Sequence, residues 1–367
     1  MHISNPRVQN DGLFMVADFT YTSTEVERVK DKVILTPVDT TYQFRTNTKV
    51  PKLGVMLVGL GGNNGTTFTG GILANKHNIT WRTKEGVQKP NFYGSITQAS
   101  TTKVGVNGAE EVFLAMKDIL PLVRPEDIII SGWDVSKSNM ADAMERARVF
   151  DYDLQQQLRP YTKDIVPLPA VLYPEFIAAN QADRCNNLVP GSNKKEHMEV
   201  IRKNLRDFKA QHNLDKVIVM WTANTERRCV EEAGVHDTKE NLLKAIENNH
   251  KEISASTVYA VACILEHVSF INGSPQNTFV PGVIQLAIHE NTYIIGDDFK
   301  SGQTKLKTSL TDFLISAGIK PRSIVSYNHL GNNDGKNLSQ ESTFKSKETS
   351  KKGCVDDKVK TKNKRRL

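Results

Sequence analysis

The chain has 367 residues, with 48 Lys and Arg against 41 Asp and Glu, and 38% of it is hydrophobic. Those proportions are ordinary for a globular protein, and the length suits about two domains. No stretch of ~18 apolar residues is present, so no transmembrane helix is expected, and the opening MHISNPRVQNDG lacks the basic and apolar regions of a signal peptide.

Cys185, Cys229, Cys263 and Cys354 lie far apart and form no C-x-x-C pair. A reduced, cytoplasmic compartment is expected, with no metal site, since no His/Cys cluster has zinc spacing. The net charge of +7 is local: Glu341 to Leu367 carries ten basic and four acidic residues, which leaves 38 against 37 elsewhere. The tail VKTKNKRRL reads either as a nucleic-acid or nuclear signal or, preferably, as a solvated and disordered end, with no nucleic-acid partner.

In chain order, Val33 to Thr46 (VILTPVDTTYQFRT) alternates and predicts one or two strands. Val55 to Val58 predicts a buried parallel strand that ends in the loop GLGGNNG, and Thr66 to Lys76 predicts a helix. Strand, glycine loop and helix N-terminus form a phosphate or dinucleotide cradle. The G-x-G-x-x-G spacing is missed by one residue, because Asn64 stands where Gly65 would be needed. A plain structural turn is the alternative.

Helical periodicity is read over Val112 to Val123, Lys137 to Leu158, Lys194 to His212, Thr238 to His250, Ser256 to Phe270 and Lys305 to Ala317, which Gly318 would cap. Strands are read over Asp127 to Trp133, Val217 to Thr222, Tyr293 to Gly296 and Ser323 to Tyr327. This alternation predicts an α/β fold with a Rossmann-like, doubly wound parallel sheet. Polar clusters follow at least four strands (GGNNG, GWDVS, TANTER and GDDFKSGQT), on the edge where such sheets bind ligands.

Asp134 either accepts the ribose hydroxyls of a dinucleotide or caps the next helix, a role that Ser136 could share. Asp297 and Asp298, beside Lys300, are placed to shift one another's titration, and Ser301-Gly302 could cradle a phosphate. If helical, Lys347 and Lys351 share one face at i, i+4, to bind phosphate or move protons, or merely to face solvent. His289 and His329 stay unassigned.

Taken together, VGLGGNNGTT, NFYGSITQAS, SGWDVS, YPEFIAANQADRCNNLVPG, VIVMWTANTER, FINGSPQNTFVPG, GDDFKSGQTKLK, SIVSYNHLGNNDGKNLS and FKSKETSK closely resemble the myo-inositol-1-phosphate synthase family. The match runs from about Phe44 to Lys351. The resemblance implies an isomerase of inositol and phospholipid biosynthesis. It would convert D-glucose 6-phosphate to 1D-myo-inositol 3-phosphate with NAD, by oxidation at C5, enolisation at C6, internal aldol closure on C1 and reduction. It implies a homotetramer in the cytoplasm.

Carried over motif by motif, the resemblance implies that Gly61, Gly62, Asn63 and Asn64 contact pyrophosphate and that Asp134 accepts the adenosine ribose. It places Gln181, Arg184, Thr222, Ala223, Asn224 and Thr225 on the cofactor, and Gly273, Ser274, Asp298 and Ser301 on its nicotinamide side. Asn332, Asn333 and Asp334 would touch cofactor or substrate. Lys347 would shuttle protons beside the reacting carbons and also touch the cofactor, Lys351 would hold the substrate phosphate, and Asp298 would be catalytic with them. Leu60 replaces a tryptophan and Ala170 a serine usual in the family.

The implied organisation is a strand-rich segment over 1–50, an NAD-binding domain over 51–304, the beginning of a catalytic and tetramerisation domain over 305–351, and a basic tail over 352–367. After Lys351 the family pattern breaks off. The family's later K-Y-V-P-x-V-G-D-S-K segment, with further lysines, is absent, and the second domain is expected to be incomplete. An inactive or regulatory NAD-binding fragment that pairs with full-length subunits is the alternative reading.

Overall fold

A computed structural model describes residues 8–300, 302–325 and 333–364. It divides into two compact units, one of Met1–Lys52 with Asn91–Pro125 and one of Leu53–Pro90 with Glu126–Leu367.

In the first unit, β1 (Val8–Asn10), β2 (Phe14–Val29) and β3 (Lys32–Asn47) make an antiparallel sheet in that order. In the second, β4 (Leu53–Val58) leads into α1 (Asn63–Lys76), and the hairpin of β5 (Trp81–Thr83) and β6 (Gly86–Gln88) follows. The first unit adds α2 (Ile96–Ala99), the hairpin of β7 (Thr101–Asn107) and β8 (Glu110–Ala115), and α3 (Met116–Ile119). The second unit resumes with β9 (Ile129–Asp134), α4 (Met140–Ala147), α5 (Tyr152–Thr162), β10 (Leu168–Pro169), α6 (Lys194–Gln211) and β11 (Lys216–Trp221). Then come α7 (Lys239–Glu247), α8 (Ala255–Leu265), β12 (Ser269–Asn272), α9 (Pro281–His289), β13 (Ile294–Ile295), α10 (Gly302–Ser316), α11 (Asn333–Asn337) and α12 (Glu341–Lys364).

The six-stranded sheet of the second unit is parallel, in the order β10-β9-β4-β11-β12-β13. The chain winds outward from β4 on one side, then returns to β4 and winds outward on the other. That is the Rossmann arrangement, and its reversal lies between β4 and β11. Val55 and Leu57 enter the core on the face of α1, α4 and α5, whereas Met56 and Val58 enter the core on the face of α6, α8 and α9. An apolar run without alternation is what a strand covered on both faces requires. Helix α8 is buried at every position from Ala255 to Ile264, which explains why it is apolar all round.

Several expected elements differ. The helix read over Val112 to Val123 is instead β8, paired to β7 across Asn107 and Glu110, with only one helical turn after it. Gly108, at φ +63°, makes the turn, and Leu120 is extended before Pro121 as proline demands. The single helix read over Lys137 to Leu158 is two, α4 and α5. Arg148 at φ +52° closes α4, and the ring of Phe150 lies where a β-carbon on Gly70 would stand. The helix read to Phe270 stops at Leu265, His267 turns at φ +52°, and Ser269 opens β12. Ser323 to Val325 is irregular rather than a strand, and 326–332, with His329, lie outside the described residues. Helix α12 continues to Lys364, through much of the segment expected to be a disordered tail. No helix among the described residues is long and apolar enough to cross a membrane.

Candidate active site

The parallel register ends β9, β4, β11 and β12 level with one another: Trp133 pairs Val58, Val58 pairs Trp221, and Trp221 pairs Asn272. The residues just beyond, Gly59, Asp134, Thr222 and Gly273, therefore rim one edge of the sheet. A cavity of about 1450 Å³ opens there. It is larger than the ~300–1,000 Å³ of a usual small-molecule pocket, which leaves room for a dinucleotide and a second ligand.

The glycine loop is drawn tight by backbone hydrogen bonds. The N–H groups of Gly59 and Leu60 donate to the Trp133 carbonyl at 2.8 and 3.0 Å, and the Gly62 N–H donates to the Gly59 carbonyl. Gly59 sits at φ +90°, and a β-carbon on it would fall 2.8 Å from the Ala223 Cα. Only glycine allows β4 and β11 to part so closely at this point. Helix α1 opens on Gly62 with no side-chain cap, so its first N–H groups and its partial positive charge face the cavity rim. Bare backbone at the switch point with an uncapped helix N-terminus fits a dinucleotide pyrophosphate.

Asp134 is 4% exposed. Its Oδ2 accepts the Gly61 N–H at 2.8 Å, and its Oδ1 accepts the Ser136 N–H at 2.9 Å. The cap of α4 is Asn139, whose side chain accepts from Asp142 N–H, so Asp134 is not the helix cap. Arg146, which the sequence did not flag, donates to the Gly61 carbonyl at 2.6 Å from α4. Arg184 also lines the cavity, and burial, with Arg146 nearby, lowers its pKa. Nothing in the pattern of the sequence links Arg146 to a loop so far upstream; only the packing of α4 does.

On the other side of the switch point, Thr222 donates to the Val58 carbonyl from both its N–H (2.9 Å) and its hydroxyl (3.0 Å). Gln181 Oε1 accepts from Asn224 at 2.9 Å and from Asn333 at 2.5 Å. Thr225 donates to Asp334 from its N–H (3.1 Å) and its hydroxyl (3.3 Å). The fully buried Asn337, also not singled out from sequence, donates to the Thr225 carbonyl at 2.6 Å and accepts from the Ala178 N–H at 3.1 Å. It lies within SIVSYNHLGNNDGKNLS, one of the segments that carry the family resemblance.

The third wall is a turn after β12. Ser274 donates from its hydroxyl to the Ala223 carbonyl at 3.0 Å. Asp298 and Phe299 donate from their N–H groups to the Ser274 and Gly273 carbonyls, both at 3.1 Å. Burial pushes Asp297 up to about 6, opposed by its hydrogen bond from Asn272; the charge of Asp298 is the smallest contribution. At Asp297 the charge of its neighbour is thus secondary to desolvation.

Helix α12 closes the cavity with both candidate lysines. Lys347 Nζ lies 3.5 Å from Asp334 Oδ2, and Lys351 Nζ lies 3.0 Å from Asp298 Oδ2, which also accepts the Ser350 hydroxyl at 2.7 Å. The helical i, i+4 spacing therefore turns both ammonium groups inward rather than to solvent. Gly61, Gly62, Asn63, Asn64, Asp134, Gln181, Arg184, Thr222, Ala223, Asn224, Thr225, Gly273, Ser274, Asp298, Asn333, Asp334, Lys347 and Lys351 all belong to this one edge of the second unit. Ser301 and Asn332 lie outside the described residues. No group of three His, Cys, Asp or Glu able to hold a metal is found among the described residues.

A family profile described as myo-inositol-1-phosphate synthase, an NAD-binding family, matches residues 53–340. An inositol-3-phosphate synthase of Dictyostelium discoideum is 54% identical over 363 residues, which is 98% of this chain and 71% of the relative. An isozyme of Arabidopsis thaliana with the same name is 54% identical over 362 residues, covering 97% and 71%. The crystal structure of the Caenorhabditis elegans inositol-3-phosphate synthase superposes with a TM-score of 0.95 at 51% identity, covering 98% of this chain and 71% of that one. With the cradle, the switch point and the paired lysines in place, the chain belongs to the myo-inositol-1-phosphate synthase family.

Proposed function

We propose that the chain converts D-glucose 6-phosphate to 1D-myo-inositol 3-phosphate with NAD, in the cytoplasm and as a homotetramer. The carrying observation is that the dinucleotide cradle and the two lysine–aspartate pairs open into one cavity. Bound NAD supplies a hydride acceptor and donor at C5 of the open-chain sugar, so that the net reaction is an isomerisation.

The chain's own residues supply the rest. Gly61 and Gly62, whose own N–H groups are taken by Asp134 and the Gly59 carbonyl, leave room for the pyrophosphate at the first turn of α1, where Asn63 and Asn64 hold it. Asp134 accepts the ribose hydroxyls with the lone pairs that Gly61 and Ser136 leave free. Gln181, Arg184 and the Thr222–Thr225 turn line the cofactor, and Gly273, Ser274, Asp298 and Ser301 its nicotinamide side. Oxidation at C5 acidifies the C6–H bond. Lys347 takes that proton and later protonates oxygen, with Asp334 steadying its ammonium form between transfers. Lys351, held by Asp298, meets the phosphate, and both cations stabilise the enolate and the alkoxide of ring closure. Residues 51–304 then act as the cofactor domain, and 305–351 as the beginning of the catalytic and assembly domain.

The test is inositol phosphate formed from glucose 6-phosphate by purified 1–367 protein with NAD, beside Lys347→Ala. Product from the wild type that drops ~10²-fold or more in the variant, with NAD affinity unchanged, is the expected result. NAD binding without product from the wild type overturns the proposal and leaves a cofactor-binding fragment.

A further inference from the structure

One carboxyl at the cavity has no part in the chemistry above. Glu226 follows directly on Thr225 and is 2% exposed. It makes no ion pair among the described residues. Its two oxygens instead accept the Ser256 N–H, at 3.4 and 3.3 Å, in the first turn of α8. Hydroxyls close in around that turn: Ser254 lies 3.1 Å from Ser256, and Thr278 donates to Ser256 at 2.8 Å. The backbone is fixed too. The Glu226 N–H donates to Gln276 Oε1 at 3.3 Å, and Gln276 in turn donates to Asn272 Oδ1 at 3.3 Å.

Residue 226 is thus fastened to a fully buried helix by its side chain and to the turn after β12 by its main chain. What depends on it is the next residue upstream. Thr225 holds both oxygens of Asp334, and Asp334 is the partner of Lys347. Without a fixed position 226, that two-point grip would wander with the loop.

We infer that Glu226 is a positioning residue for Lys347, anchoring the chain to the first turn of α8 so that Thr225 can present Asp334 to the lysine ammonium. The inference rests on the function proposed above in taking Lys347 as the proton-transfer group. An anchor needs reach more than charge. Glu226→Gln keeps the length and an acceptor, and the surrounding serine hydroxyls can rotate to accept from its amide. Glu226→Asp keeps the charge but is one methylene short of the Ser256 N–H.

The test labels lysines in the full chain with limiting acetic anhydride and reads acetylation of Lys347 and Lys351 by peptide mass spectrometry, alongside product formation. Glu226→Asp should raise the Lys347 labelling rate by about threefold or more, as expected for loss of one net hydrogen-bonded contact. It should leave Lys351, whose partner Asp298 has no tie to the Glu226 carboxylate, unchanged. It should also lower kcat by about tenfold with KM for glucose 6-phosphate little altered, and Glu226→Gln should restore the Lys347 labelling rate. An unchanged Lys347 rate in folded Glu226→Asp, or an equal rise at both lysines, overturns the inference. Should Glu226→Asp fail to fold, Glu226→Gln decides alone: native labelling of Lys347 upholds the anchor, and accelerated labelling overturns it. If the wild type makes no product while the labelling follows this pattern, the functional reading fails and the positioning stands.

Discussion

Glu226 is held above the ordinary carboxylate range by desolvation, partly offset by hydrogen bonds from Ser256, Ser254 and Ala255, and reaches about 7. Tyr173, Tyr259, Lys194 and Cys229 all feel its charge. A carboxyl whose folded pKa exceeds its unfolded value binds more protons when folded. Its contribution to stability is therefore full below the unfolded value of 4.5 and is lost as pH rises toward 7. A shift of that size corresponds to roughly 3 kcal/mol above neutrality. Glu226→Gln removes the ionisation, so it should gain stability over the wild type at pH 8 and gain little at pH 5. Urea unfolding at the two pH values measures this, and an equal difference at both would reject desolvation as the source of the shift.

Helix α8 shows what one buried element does for the sheet edge. Tyr259 is fully buried, and its hydroxyl accepts the Val171 N–H at 3.1 Å where the chain leaves β10. Its ring meets Trp133 and Trp221 edge-on at 5.2 and 5.9 Å. Tyr259→Phe keeps the rings and strands the Val171 N–H, at a cost of about 1–3 kcal/mol. Thermal unfolding should show that loss, and a variant as stable as the wild type would mean that water reaches Val171. The elements themselves were legible to different degrees. The run Val55 to Val58 could only be a strand covered on both faces, and the glycines after it required a turn. The break between α4 and α5 could not be read, because Phe150 seated over Gly70 fixes it and the local periodicity runs straight through. The end of α8 was hidden because AVACILEHVSF has no glycine or proline between helix and strand. In the site, residues close in sequence to a glycine or an acidic cluster were found. Arg146 and Glu226 were not, since their partners are distant in the chain.

At the scale of the molecule, every described residue of the cavity belongs to the unit built on the parallel sheet, whereas β2 and β3 pair with each other over their 16 residues in the other unit. Cofactor binding should therefore be felt unevenly. A ligand that binds only the folded form stabilises it by about 2.7 kcal/mol at a hundredfold excess over Kd. That stabilisation appears as slower amide exchange wherever opening would release the ligand. With saturating NAD, exchange should slow in the Gly59–Gly62 loop, the first turn of α1, the Thr222–Thr225 turn and the Gly273–Ser274 turn, and stay unchanged in the β2–β3 ribbon. Lys347→Ala should show the same protection, because that side chain adds one contact to a cradle formed by the glycine loop and the first turn of α1. Hydrogen-exchange mass spectrometry on both proteins makes the comparison. Protection confined to the ribbon would place the dinucleotide elsewhere. Protection lost in the variant would make the Lys347 contact, and not the cradle, the main hold on the cofactor, and a fall in turnover on its substitution could no longer be read as lost proton transfer.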